Sequence, residues 1–316
     1  MYKYLLPLIA FSLIVGGCKK KEQEPEEPQC TLHGFTVAAD HIHDNIAECT
    51  YGTIDLTSDT LTKKAVFLSG LSFDNAAFNT SDHCYYVCKQ YSDNTSSNII
   101  YKIDLKGAVT TLTSDEQLIS SAIAYNKLLN KFYCVGRTSI LELNITGNKF
   151  EAKEIVVPAH AMQYYRSGLA VDNVTGAIYY LTSDSTSTNY YVERFKNGAG
   201  GSEIVASGVG ARLYGLQFNK SDGKLYALSY PWSNINWSYT PDLVKIDPLD
   251  GTISKLASPG FFIVPGSCST CIDPCSDQYI ISTYSYDYHL LATFSTAGAL
   301  IKKDTASPFY QGLEMN

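Results

Sequence analysis

Three of the chain's four arginines, Arg137, Arg166 and Arg212, fall at the ends of strand-like runs, as do Tyr164, Tyr165, Tyr214, Tyr310 and Gln311. The longest connecting segment, SYPWSNINWSYTPD (229–242), holds both tryptophans, Trp232 and Trp237, and STYSYDYH (282–289) adds Tyr284, Tyr286 and Tyr288. An aromatic plane stacks on a sugar ring, and a guanidinium pairs with a carboxylate through two parallel hydrogen bonds. The chemistry this set suits is ligand capture, with Arg137, Tyr165, Arg166, Arg212, Tyr214, Trp232, Trp237, Tyr286, Tyr310 and Gln311 as candidate contacts. The competing reading is that these side chains only pack long loops, and residue type alone does not separate the two.

A second cluster is CTLHGFTVAADHIHDNIAEC (30–49). Alternate residues of a strand point the same way, so His41 and His43 are candidate ligands for a divalent metal between Asp40 and Asp44, with His33 nearby. No water-activating base accompanies them, and solvated loop histidines are the alternative. Cys268-x-x-Cys271 is followed by Ile272 where a c-type haem site has histidine, and the second cysteine pair of a zinc ribbon is missing. No GxSxG, HExxH or phosphate-cradling glycine loop occurs. Eight cysteines follow Cys18, an even number that suggests disulfides in an exported chain, and Cys30 and Cys49 flank one strand that they could staple.

The elements that must position these residues are repeated. Gly70–Asp74, Ala122–Asn126, Gly168–Asp172, Gly215–Asn219, Ser269–Asp273 and Gly312–Asn316 are short apolar runs that end in Asp or Asn, recurring every 43 to 54 residues. The terminal side chain of each can bond the backbone two residues on and begin a tight turn, although six such groups could also be read as a ligand ring. After the first five comes a second strand (84–87, 132–135, 178–181, 225–228, 279–282), then a loop and a hairpin such as LVKIDPLDGTISKL (243–256). A four-stranded unit of this length cannot bury both faces alone, so units stack radially as blades.

The last run, GLEMN, has no partner strands after it, whereas FTVAAD (35–40) and the hairpin at 51–66 supply three strands without an inner one. Joining them removes an open sheet edge. The expected fold is therefore an all-β, six-bladed β-propeller whose closing blade takes one C-terminal and three N-terminal strands. The unit GLAVDNVTGAIYYL (168–181) resembles the YWTD and NHL repeats of six-bladed propellers. That resemblance bears on architecture and not on function.

The N-terminus has a lysine, an apolar run from Leu5 to Val15, and Gly16-Gly17-Cys18. The run is too short to span a bilayer, and the layout is that of a signal peptide. Its end resembles the lipobox of bacterial lipoproteins, which implies cleavage after residue 17 and acylation of Cys18. KKKEQEPEEPQ (19–29) has nothing apolar to bury and reads as a solvated tether. Lys19, where an aspartate would signal inner-membrane retention, and the lysine-then-acid run, similar to surface-export signals of Bacteroidota lipoproteins, imply the outer membrane, on its periplasmic or cell-surface side.

The expected division is therefore signal peptide 1–17, lipidated cysteine and tether 18–29, and propeller 30–316. The net charge of −7 argues against a nucleic-acid partner. Only 17% of residues are charged and Tyr reaches 24, a composition that favours sheets. The expected function is a non-catalytic envelope binding module that takes a glycan, peptide or partner protein on its channel mouth, the face to which the arginine and aromatic candidates map, held to the membrane by its lipid, with no cofactor required. The alternative is a propeller lactonase or hydrolase with a metal in its channel. The inner-strand centres expected to face that channel, Ser72, Ala124, Ala170, Gln217, Cys271 and Glu314, include one acid, which argues against catalysis.

Overall fold

The computed structural model describes residues 30–37, 47–69, 76–88, 97–118, 122–136, 138–162, 168–184, 186, 188–196, 201–231, 240–261, 268–284, 289–305 and 308–316. Their regular structure is all β. The first sheet contains β1 (Leu32–Val37), β2 (Ala47–Asp55) and β3 (Thr60–Ser69). Next come β4 (Ala76–Asn79), β5 (Cys84–Cys88), β6 (Ser97–Asp104) and β7 (Val109–Leu118), then β8 (Ile123–Asn126), β9 (Lys131–Val135), β10 (Ile140–Thr146) and β11 (Lys149–Val156). The fourth group is β12 (Ala161–Met162), β13 (Leu169–Val171), β14 (Ile178–Ser183), β15 (Asn189–Phe195) and β16 (Ser202–Val209). The last two full groups are β17 (Ala211–Asn219), β18 (Lys224–Pro231), β19 (Asp242–Ile246) and β20 (Ile253–Ala257), and β21 (Cys268–Asp273), β22 (Gln278–Tyr284), β23 (His289–Ser295) and β24 (Leu300–Asp304). The chain closes with β25 (Tyr310–Met315).

Each group is an antiparallel meander, and the second and third groups touch edge to edge through one parallel pair, Lys149 with Thr113. β25 pairs antiparallel with β1, giving the sheet order β25-β1-β2-β3, the closure expected from the unpaired ends of the sequence. The inner strands β4, β8, β13, β17, β21 and β25 each approach the next, and β25 lies beside β4, so the grouping fits six blades in a ring.

The turns follow from the Asx residues. Asn79, Asp172, Asn219 and Asp273 each accept a hydrogen bond on Oδ1 from the backbone N–H two residues on, at 2.8 to 3.0 Å. Asn126 does so from Leu129, three residues on. These groups are turn formers, not a ligand ring. The chain's own ends replace the sixth turn: Thr31 N–H donates to Asn316 Oδ1 at 2.9 Å and Asn316 N–H returns to Thr31 O at 3.2 Å.

The first repeat needs correction. The inner strand of its blade is Ala76–Asn79, and Gly70–Asp74, with Ser72, lies outside the described residues. Four residues separate Asn79 from Cys84, as four separate Asn126 from Lys131 and Asn219 from Lys224, whereas Asp74 would leave nine.

Two glycines of the Gly-Leu starts have a specific task. Gly215 and Gly312 sit at positive φ, 62° and 54°, where the inner strand is bulged, and each carbonyl accepts the hydroxyl of a tyrosine in the next blade, Tyr279 and Tyr85 respectively. A Cβ at Gly215 would lie 2.7 Å from both Thr270 and that tyrosine hydroxyl. Tyrosine also fills the wedges between blades: Tyr51, Tyr85, Tyr86, Tyr133, Tyr180, Tyr214, Tyr226, Tyr279 and Tyr310 are all fully buried.

Cys30 forms a disulfide with Cys275, 245 residues away in the β21–β22 turn, with Cα atoms 6.1 Å apart. The expected staple through Cys49 is thereby replaced. Cys49 is instead buried with Phe35 and Tyr51 inside the closing blade's core, whereas Cys30 meets a neighbouring blade.

Candidate binding face and central channel

The meander sets two faces. Turns joining strands one to two and three to four lie on one, the turn face. Loops joining two to three, and crossovers to the next blade, lie on the other, the mouth. Arg212 is half-buried at the mouth end of β17, beside Gly210 and the exposed Val209. Tyr214, Tyr310 and Gln311, expected on that surface, are buried. Tyr214 stacks on Tyr230 with centroids 4.6 Å apart, and Tyr310 donates its hydroxyl to Asp59 O at 2.9 Å and fills the seam between the last and closing blades. Tyr214 and Tyr310 hold blades together because inter-blade wedges demand large flat side chains, and with the buried Gln311 they are removed from the set of ligand contacts. Arg137, Tyr165, Arg166, Trp232, Trp237 and Tyr286 lie outside the described residues, as do His41, His43 and Cys18.

Along the inner strands, Ala77 and Ala170 are buried, Ala124 and Gln217 are half-buried, and the Gln217 amide donates to Thr270 O at 2.9 Å, tying β17 to β21. Cys271 is buried against Leu32 and Tyr310 rather than open to the channel, and Cys268 lies on the opposite face of β21 with Tyr214 and Leu228. The Cys-x-x-Cys pair therefore cannot share a metal or a disulfide. Burial pushes the Cys88 thiol up to about 12 and those of Cys134 and Cys271 well above their ordinary value, which makes them unreactive.

Glu314, half-buried, is the acid among the described inner-strand centres. It sits directly across from His33 in the β1–β25 ladder, with the Phe78 backbone N–H donating to it. His33 is buried, stacked between Tyr51 and Phe78 at interplanar angles of 12° and 9°. Its Nδ1 is 2.8 Å from the Tyr51 hydroxyl, and its buried Nε2 has no hydrogen-bond partner among the described residues.

Burial, reinforced by Lys64, lowers the His33 pKa to about 4, and burial raises the Glu314 carboxyl to about 8. His33 is depressed below its free value of 6.5, so its contribution is intact above pH 6.5 and is lost as pH falls toward 4, about 3 kcal/mol in full. Glu314 is raised above 4.5, so its contribution is intact below that value and is lost as pH rises through 8. The melting temperature should therefore fall on both flanks of a maximum at about pH 5 to 6. Glu314→Gln should flatten the alkaline flank alone; an unchanged flank in melting curves from pH 4 to 9 would contradict this assignment.

A site that sequence reasoning missed lies inside the fourth blade, against the segment by which the chain enters it. Glu193 is fully buried on β15 and accepts from Ser202 Oγ at 2.6 Å, Thr182 Oγ1 at 2.7 Å, Ala159 N–H at 3.2 Å and the Tyr180 hydroxyl at 3.4 Å, with His160 Nδ1 at 3.3 Å. These donors outweigh burial and hold its carboxyl below the usual range. His160 in turn stacks on Tyr191, centroids 3.7 Å apart. The buried carboxylate thus fixes a partly exposed imidazole where the chain enters the fourth blade. The available signal was period two: Tyr191, Glu193 and Phe195 share one face, and an acid between aromatics needs donors.

No family model matches the chain, and no curated protein does. Solved structures do. A chain of the Nidogen/Laminin complex is 14% identical, with a TM-score of 0.60 over 90% of this chain and 98% of that one. A protein described as TolB from Agrobacterium tumefaciens is 10% identical, with a TM-score of 0.57 over 90% and 91%. Hydrazine synthase from Kuenenia stuttgartiensis is 11% identical, with a TM-score of 0.53 over 88% and 80%. At these identities the likeness shows the fold alone, a β-propeller.

Proposed function

We propose that the chain is a lipid-anchored binding module of the cell envelope, attached through Cys18 to the outer membrane, which takes a glycan, peptide or partner protein on its mouth without transforming it. The observation that carries this reading is the donor set of the channel. The alternative reading, a propeller lactonase or hydrolase with a metal in its channel, needs a cation held by inward carboxylates and amides. Here the described inner-strand centres offer alanines, the buried Cys271, a glutamine already donating to Thr270, and a single carboxyl group, Glu314, across from His33. One carboxyl group without a second beside it is a poor cation site. The fold neighbour from the Nidogen/Laminin complex lends support to a partner protein among the ligand classes.

The remaining mouth anchors are Arg212 and the sequence-assigned Arg137, Tyr165, Arg166, Trp232, Trp237 and Tyr286. Binding surfaces depend on a few such side chains, each costing about 2 kcal/mol or more when cut to alanine. Arg212→Ala and Trp232→Ala should therefore each weaken an array-selected ligand about 30-fold in calorimetric titration. Unchanged affinity with a lowered melting temperature would make these residues loop packing.

A further inference from the structure

We propose that the turn face is the membrane-proximal surface of the protein and that the lipid bilayer is its occupant; the proposal rests on the Cys18 anchor of the functional reading. Cys30 is fixed to Cys275 in the β21–β22 turn, and Thr31 is bonded to Asn316 at the end of β25. The chain therefore leaves toward its N-terminus from the turn face. Residues 19–29 then lead to Cys18. A flexible chain of that length spans about 20 Å on average and about 40 Å when fully extended. The propeller wall adds roughly 20 Å, the length of a six-residue strand, so turning the mouth to the membrane would stretch the tether along the whole wall.

The same face carries what a bilayer surface accepts. Leu128 is 55% exposed, Val174 70% and Leu249 84%, each at the tip of a turn. The first two turns are locked together by Asn126 Nδ2–H donating to Gly176 O at 3.0 Å and Lys127 N–H donating to Asn173 Oδ1 at 2.6 Å. Exposed Lys106, Lys127 and Lys220 lie on the same face, alongside exposed Asp55, Asp82, Asp222 and Asp250. Apolar tips enter the boundary between headgroups and acyl chains while ammonium groups stay with the phosphates. The mixed charge leaves affinity to the acyl anchor, and the turns set orientation. The mouth then faces away from the membrane, toward ligands presented from outside it.

The test uses the full lipidated protein in phosphatidylethanolamine–phosphatidylglycerol vesicles carrying a headgroup energy acceptor. A donor is placed on Val174→Cys at the turn face or on Val209→Cys, 80% exposed at the mouth end. Energy transfer should be at least twofold more efficient from position 174, and only that label should be shielded from an aqueous quencher. Equal or reversed transfer from protein that still floats with the vesicles overturns the orientation and leaves the anchor standing. A Cys18→Ser protein that floats as well as the parent overturns the anchor, and the proposal with it.

Discussion

Removing residues 312–316 should leave a chain that aggregates or shows no cooperative melting transition. The deletion removes four of the six residues of β25, leaving Tyr310 and Gln311, and so exposes much of the edge of β1 and opens the channel wall between β21 and β4. Leu313 is buried and its N–H donates to Ser269 Oγ at 2.8 Å, and Gly312 O accepts the Tyr85 hydroxyl. Loss of one such leucine costs about 2 to 5 kcal/mol. Against a total stability of about 5 to 15 kcal/mol, losing most of the strand as well exceeds what a domain tolerates. Calorimetry with size-exclusion chromatography decides the matter, and a truncated monomer that melts like the parent would contradict the ring closure.

The second large effect belongs to the disulfide. In the chain-entropy account, cross-linking residues 245 apart restricts the unfolded chain by about 5 kcal/mol. Cys275→Ser should therefore lower the melting temperature by on the order of 10 °C. The double variant with Cys30→Ser should fall no further, because the two sulfurs act as one bond. A shift of only a degree or two would mean that the Thr31–Asn316 hydrogen bonds, with β25 itself, carry the closure alone.

Most of the architecture was legible because it is encoded locally. An apolar run ending in Asp or Asn, four turn residues and a second strand recur with little variation, and closure follows from one strand too many at one end and one too few at the other. The misplaced first repeat arose because Gly-Leu at 70–71 matched the starts at 215 and 312, while Ala76–Asn79 has the turn spacing but lacks the glycine. The disulfide was not legible, because Cys30 meets Cys275 only once the ring closes.

The candidate site was harder to read. Tyrosine serves stacking on a ligand and packing between blades equally well, so Tyr214 and Tyr310 looked like ligand contacts yet fill wedges. Glu193 and His160, by contrast, become a unit only through strand pairing, since their positions in sequence, 33 residues apart, give no hint of contact.

The central claim is binding without turnover at the mouth. Its most direct test is to present residues 19–316 to glycan and peptide arrays with and without a chelator, then recover the bound ligand for mass spectrometry. The account predicts at least one ligand retained equally in both conditions, weakened by Arg212→Ala and recovered chemically intact. A ligand that is released as cleaved product, and only when divalent metal is present, would contradict it.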